Sequence, residues 1–265
     1  MSTRQYLGRQ YKKSLEIYDH YFQRNIMTDI SMFKNKYKNE RCFVIGNGPS
    51  INKMNLNLLK DEVTFCSNSF FLKFPELDFT PNFLTVEDSL VIDDNIHNFN
   101  QLKGINKFYP FDQTNKLVKD DFSFFVEFRR AFQNNIYKNK FSFNSGNQIF
   151  FWGGTVIYFS LQLAYYMGFK EIYLIGIDLT YKIPKDAKIE NDIITSNSDD
   201  PNHFNPLYFG KGKKWHLPET GRMQVSFDYA LKYLCKKNIK LYNSTIGGEL
   251  KNIPRRDFNS LFNEI

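Results

Sequence analysis

The apolar run Arg41-Cys42-Phe43-Val44-Ile45 stops at Gly46-Asn47-Gly48-Pro49-Ser50, and this break constrains the fold more than any other feature of the chain. A short apolar run that ends in glycines reads as a buried strand turning into a loop, because residues without a Cβ let the backbone approach a ligand closely. Such a loop presents N–H groups at the start of a turn or helix, where an anion is favoured. Pro49 stiffens the exit, and Ser50 offers a cap or a phosphate contact. Neither common nucleotide fingerprint fits. Ile51 stands where G-x-G-x-x-G needs its third glycine, and no Gly-Lys-Ser/Thr follows. Taken alone, the loop also reads as a tight strand–helix turn with no ligand.

Further runs repeat the pattern. Strands are predicted at Val63–Cys66, Asn82–Val86, Lys107–Pro110, Glu171–Ile175 and Ile239–Tyr242. Thr155–Met167 is apolar almost all round and reads as a buried helix that Gly168 terminates. A last helix places Met223, Phe227, Ala230, Leu231 and Leu234 on one face. Residues 180–221 carry four prolines and many polar residues and read as a long lid loop. Residues 1–40 read as a helical lead-in, and residues 113–150 resist assignment. Strands alternating with helices imply an α/β fold, a doubly wound, mainly parallel sheet forming one domain over 41–265.

Composition narrows the partners. The net charge is +7, which suits acidic ligands, but the basic residues are spread along the whole chain with no nucleic-acid motif, so nucleic acid is not expected. The three cysteines are far apart, and buried free thiols in a reducing compartment explain them best. No signal peptide is evident and no apolar run nears ~20 residues, so the expected location is cytoplasmic, including the cytoplasmic face of an inner membrane.

Polar residues end several strands: Asn47, Asn68, Glu87-Asp88 and Asp178. In an open α/β sheet, ligands collect beyond the carboxyl ends of the strands, so these residues point to one crevice. Asp178 reads equally well as an N-cap. His203, in Asp199-Asp200-Pro201-Asn202-His203, is the candidate general base, with a surface histidine as the plain alternative and His216 as its rival. Tyr181 and Tyr208 are candidates for bonding a leaving phosphate. No Asp-x-Asp occurs, although Glu87, Asp88 and Asp178 would suit Mg²⁺ if the fold gathered them. Arg255-Arg256 reads as a phosphate contact or a solvated basic pair.

These landmarks carry a resemblance. Arg41 to Ser50, Gly153-Gly154-Thr155-Val156, Gly168 to Asp178, and Tyr242-Asn243-Ser244-Thr245 with Gly247-Gly248 resemble the MptE-like (DUF115) group. That broad group includes a pterin pyrophosphokinase and proteins linked to flagellin glycosylation. The same residues resemble the bacterial sialyltransferases of glycosyltransferase family 42, through Gly-Asn-Gly-Pro-Ser, Cys66-Ser67-Asn68, Gly176-Ile177-Asp178 and Asp200-x-x-His203. The resemblance implies a Rossmann-like, glycosyltransferase-A-like variant of the fold. It implies nucleotide contacts at Gly46, Asn47, Gly48, Pro49, Ser50, Asn68, Asp88, Gly154, Thr155, Gly176 and Asp178, with His203 as base and Tyr181 at the leaving phosphate. The chain departs from the sialyltransferase pattern in having Glu87-Asp88-Ser89 for Asn-Pro-Ser, and Gly153-Gly154-Thr155 for Thr-Ser-Gly.

The implied activity is inverting transfer of sialic acid or a related ulosonic acid from a CMP-linked donor to a glycan or lipid-linked glycan of the cell envelope. No metal is required for it, and both peripheral membrane contact and a homo-oligomer are compatible with it. Two alternatives stay open: a Mg²⁺-dependent diphosphokinase acting on a pterin-like alcohol, and a non-catalytic nucleotide-binding protein.

Overall fold

A computed structural model describes residues 27–130, 148–183, 186–190 and 192–262. Most of the helical lead-in expected over 1–40 therefore lies outside the described residues. The described part, 27–40, forms turns around a 3-10 segment at Ser31–Phe33.

Eight strands form one sheet: β1 (Arg41–Ile45), β2 (Val63–Ser67), β3 (Phe83–Thr85), β4 (Asn106–Pro110), β5 (Ser123–Arg129), β6 (Ile149–Phe151), β7 (Glu171–Ile175) and β11 (Lys240–Asn243). Their order is β11-β7-β1-β2-β3-β4-β5-β6, and each neighbouring pair is parallel. The expected α/β fold with a doubly wound sheet is thus present. The chain moves outward from β1 to β6, then returns to place β7 on the other side of β1. The reversal falls between β1 and β7, and connections leaving those two strands open a crevice at their carboxyl ends.

Side-chain alternation on the strands feeds two cores. Cys42 and Val44 of β1 join one buried cluster, while Phe43 and Ile45 join the cluster on the opposite face. The first face is covered by helices α2 (Val156–Met167) and α3 (Thr220–Lys236), and the second receives α1 (Ser89–Gln101). Helix α2 is buried at all but Tyr165 and Tyr166, as its apolar composition predicts, and it packs across β1, β2 and β3. Thr155 caps its start by accepting from the Ile157 N–H at 3.3 Å, and Gly168 ends it in the left-handed region at φ 93°.

Two expectations need correction. Residues 180–221 are not simply a loop: β8 (Lys188–Glu190), β9 (Ile193–Thr195) and β10 (Lys214–His216) form a separate antiparallel sheet there. That segment buries Ile194, Phe204, Tyr208, Phe209 and Trp215, so its aromatic residues outweigh its prolines. Cys42 and Cys66 are buried free thiols, but Cys235 lies exposed on α3. Arg255 and Arg256 are both exposed, in keeping with the solvated-pair alternative; Arg255 donates to the carbonyls of Thr245 and Gly247, and Arg256 lies over the Tyr242 ring at 5.0 Å. Among the described residues, no helix is long and apolar enough to cross a membrane.

Candidate active site

The loops after β1 and β7 touch. Gly46 N–H donates to the Ile175 carbonyl at 2.7 Å, and Gly48 N–H to the Gly176 carbonyl at 3.0 Å. A Cβ on Gly48 would sit 1.8 Å from Asp178 Oδ2. Gly176 has φ +67°, and a Cβ there would lie 2.3 Å from Ile51 Cγ2. The glycines are therefore required by loop-to-loop packing, before any ligand is considered. Ser50 Oγ donates to Asp178 Oδ2 at 2.7 Å, so Asp178 braces the loop and is not an N-cap.

A cavity of about 970 Å³ opens above this junction. Gly46, Asn47, Gly48, Asn68, Asp88, Gly154, Thr155, Gly176, Asp178, Tyr181 and His203 all border it. Pro49 and Ser50 stand behind, where Pro49 begins the 3-10 turn Pro49–Lys53. The expected crevice thus gathers nearly all the residues singled out from the sequence.

At its β1–β2 end, Asn47 Nδ2 donates to Ser67 O at 3.2 Å and to Ser67 Oγ at 3.0 Å. Asn68 occupies the left-handed region at φ 50°, which asparagine tolerates better than most residues. The side-chain oxygens of Asn47 and Asn68 are both buried without a hydrogen-bond partner among the described residues. A buried acceptor left unpaired costs about 1–3 kcal/mol, which a bound donor group would relieve.

The segment after β9 supplies the histidine. His203 Nδ1 lies 2.6 Å from Asp200 Oδ2, and its ring stacks on Tyr208 at 4.0 Å between centroids. Asp200 is held in turn, since Oδ1 accepts from Asn202 N–H at 2.8 Å and Oδ2 from Phe209 N–H at 3.1 Å. Phe204 N–H donates to the Asn47 carbonyl at 2.9 Å, joining this segment directly to the glycine loop. With Asp200 accepting from Nδ1–H, the neutral imidazole leaves Nε2 as its basic atom. Tyr181 has its ring 6.4 Å from that of His203. Burial of its hydroxyl end, then Asp200 and Asp178, push that hydroxyl up to about 12, although the residue is 40% exposed overall. Tyr208 is buried but borders the cavity; the Asn68 side chain and the Ser69 backbone N–H bond to its hydroxyl oxygen, and its ring stacks on His203.

The other end lies beyond β3, β4 and β5. Asp88 caps α1 by accepting from Leu90 N–H at 2.9 Å, and its Oδ2 lies 3.0 Å from His216 Nδ1. That hydrogen bond raises the His216 pKa against the opposing effect of burial. Glu87 is 5% exposed and is pushed up to about 8, chiefly by burial, with Arg130 opposing the shift. Glu87 and Gln113 each keep a buried side-chain oxygen without a hydrogen-bond partner among the described residues. Sequence reasoning missed Gln113, Arg130, Trp152 and Arg222, all of which border the cavity. Arg130 directly follows β5, so the rule that found Asn47 and Asn68 would have found it, had that strand been assigned.

Glu87, Asp88 and Asp178 do not gather into a metal-binding group. Among the described residues, no cluster of three or more histidine, cysteine or carboxylate side chains is arranged to hold a metal ion.

The family model described as "6-hydroxymethylpterin diphosphokinase MptE-like" matches residues 18–184, more than half of the chain. The chain belongs to the MptE-like family. Within the matched region lie the glycine loop, Asn68, Glu87 and Asp178, whereas His203 and His216 lie beyond it. Comparison with curated proteins gives no match. A solved structure of the MAf glycosyltransferase from Magnetospirillum magneticum AMB-1 is similar in fold, with a TM-score of 0.52 and 14% identity. The match covers 86% of this MptE-like chain and 35% of the MAf chain.

Proposed function

We propose that this protein transfers a glycosyl group from a nucleotide-activated donor to a hydroxyl group, with a CMP-linked sialic or related ulosonic acid as donor and a cell-envelope glycan as acceptor. The observation that carries the reading is the Asp200–His203 pair, fixed in the same cavity as the unpaired oxygens of Asn47 and Asn68. The two asparagine oxygens would accept from the amino or hydroxyl groups of the nucleoside. The amino end of α2, at Gly154 and Thr155, borders the cavity and favours the phosphate through its dipole.

In the proposed step, His203 Nε2 takes the proton of the acceptor hydroxyl. The acceptor oxygen attacks the anomeric carbon, and the carbon–oxygen bond to the nucleotide phosphate breaks with inversion. Asp200 stabilises the imidazolium that forms. Tyr181, whose hydroxyl keeps its proton across ordinary pH, donates a hydrogen bond to the departing phosphate. The net positive charge of +7 suits an acidic donor and anionic envelope glycans. The glycosyltransferase with a similar fold agrees with this reading.

The family's description favours a second reading, pyrophosphoryl transfer from ATP. Glu87, Asp88 and Asp178 form no three-ligand group among the described residues, so that reading would rest on one or two carboxylates together with the ATP phosphates. A thermal-shift panel separates the two. CMP is expected to raise the midpoint without added metal, because a ligand that binds only the folded state stabilises it. A shift seen only with ATP and Mg²⁺ would replace the transferase reading by the kinase one.

A further inference from the structure

Of the seven buried side-chain atoms without a hydrogen-bond partner among the described residues, four belong to residues bordering the cavity, and they fall at its two ends. Asn47 and Asn68 mark the end above β1 and β2. Glu87 and Gln113 mark the end above β3 and β4, where different chemistry surrounds them.

At this second end the charges are already matched. Arg130 Nε donates to Asp112 Oδ2 at 3.1 Å and its Nη2 to the Glu87 carbonyl at 2.6 Å. Asp88 pairs with His216. The Gln113 amide donates to Asp112 Oδ1 at 3.1 Å, which leaves its own oxygen as the unpaired acceptor. The Trp152 indole donates to the Glu87 carboxyl, and Arg222 lies over the Trp152 ring at 4.9 Å. A strongly charged ligand group would disturb these pairs. A hydroxyl group would not, because it both donates and accepts.

We infer that this end is a second subsite, distinct from the nucleotide end, which holds an uncharged, hydroxyl-rich sugar ring through Glu87 and Gln113. Glu87 is its specificity-determining residue. The inference rests on the transferase reading and assigns the acceptor sugar, rather than the donor, to this end.

Burial keeps Glu87 protonated up to about pH 8, so its carboxyl donates to one sugar oxygen while Gln113 accepts from a neighbouring hydroxyl. Among the described residues, the charged groups acting on Glu87 are Asp88 at the start of α1, Arg130 after β5 and His216 on β10, with Asp112 after β4 paired to Arg130 and Arg222 of α3 lying across Trp152. Asp88 holds the Glu87 proton on, whereas Arg130 and His216 act to release it.

Saturation-transfer NMR on the full chain tests this, with lactose and N-acetylglucosamine as sugar probes and CMP as the nucleotide probe. Transfer to at least one sugar is expected to persist at saturating CMP. It should weaken about tenfold in Glu87→Ala, as losing a hydrogen bond to a buried group implies, and survive in Glu87→Gln, whose amide still donates. It should also fade above about pH 8 in the natural protein but not in Glu87→Gln. Displacement of the sugar by CMP, indifference to Glu87→Ala, or absence of any sugar signal where CMP gives one would each overturn the inference. So would a midpoint raised by Mg²⁺ alone in the natural protein and in neither variant, since Glu87 would then be an ionised metal ligand. If the sugar signal behaves as expected while CMP neither transfers nor stabilises, the subsite stands and the nucleotide assignment fails. A single cooperative thermal transition in each variant shows that both are folded, whatever their midpoints.

Discussion

Two histidine–aspartate pairs border the same cavity, and they are built differently. Asp200–His203 is short, at 2.6 Å, with side chains 11% and 1% exposed for the histidine and aspartate. Asp88–His216 is longer, at 3.0 Å, with His216 55% exposed. The first pair is clamped by Tyr208 under the ring and by two backbone N–H groups on the carboxylate. In the second, the carboxylate is shared with the cap of α1. Water competes for the open pair and is largely excluded from the enclosed one. The same two side chains therefore make an enclosed, oriented pair in one place and a solvent-exposed brace in the other.

Exchanging the histidines' roles is the strongest way to break this contrast. His203→Ala is expected to lower turnover roughly 10²- to 10⁴-fold while nucleotide affinity stays close to that of the natural protein. The ascending limb of the pH–rate profile should vanish with it, whereas His216→Ala should change turnover by no more than about threefold. Loss of activity in His216→Ala alone would place the base on the open pair.

Next in size is the effect of Glu87, which lies beside the open pair. Its folded pKa of about 8 stands above the ordinary 4.5, so between those values the folded protein holds a proton that the unfolded chain has released. The contribution of Glu87 to stability should therefore be fullest below pH 4.5 and fall as pH rises towards 8, by up to ~1.4 kcal/mol per unit. Urea melts of Glu87→Gln should lose that slope. An unchanged slope would mean that Glu87 is ionised in the folded protein.

Asp200→Asn should act on both rate and stability. The variant keeps an oxygen to accept from one of the two N–H groups but no longer fixes which imidazole nitrogen carries the proton. A loss of about 10- to 100-fold in kcat is expected, with about 1–2 kcal/mol of stability. An effect on stability with kcat intact would reduce Asp200 to a loop brace. The smallest effect belongs to His216→Gln. The raised His216 pKa contributes stability that is present below about 6.5 and lost as pH rises through its folded value. Given its exposure, the thermal midpoint should drop slightly at pH 6 and not at all at pH 9; a drop at pH 9 would show that packing, not charge, is what His216 supplies.

The sheet was legible in the sequence wherever a strand was short, apolar and bounded by turn residues, as at Arg41–Ile45 and Glu171–Ile175. Helix α1 was not. Its Asp93, Asp94, Asn95 and Asn98 are poor helix formers, and it is kinked at Asn95, whose side chain donates to the Val91 carbonyl. Its stability comes from burying Val91, Ile92 and Phe99, a tertiary effect that local preference does not reveal. Strand β5 was hidden by a phenylalanine-rich neighbourhood and by Glu127, a charged residue that is 6% exposed. The site was legible where one residue ends one strand, as with Asn47 and Asn68. It was only half legible where meaning depends on partners from distant segments: the strand end placed Glu87 at the crevice as a ribose or metal contact, but its burial and the Trp152 indole beside it come from the fold.

The contact between the loops after β1 and β7 has a consequence for how such chains are grouped. Gly48 and Gly176 have no room for a methyl group because each faces the other loop or the turn beneath it. A descendant that exchanged its substrate, or lost catalysis altogether, would still need them in order to fold. The Gly-Asn-Gly-Pro-Ser loop is therefore tied to architecture before chemistry, and its presence alone does not separate a kinase from a transferase or an inert binder. Sorting them by chemistry calls for positions free of that steric duty, and Glu87 is the first to inspect.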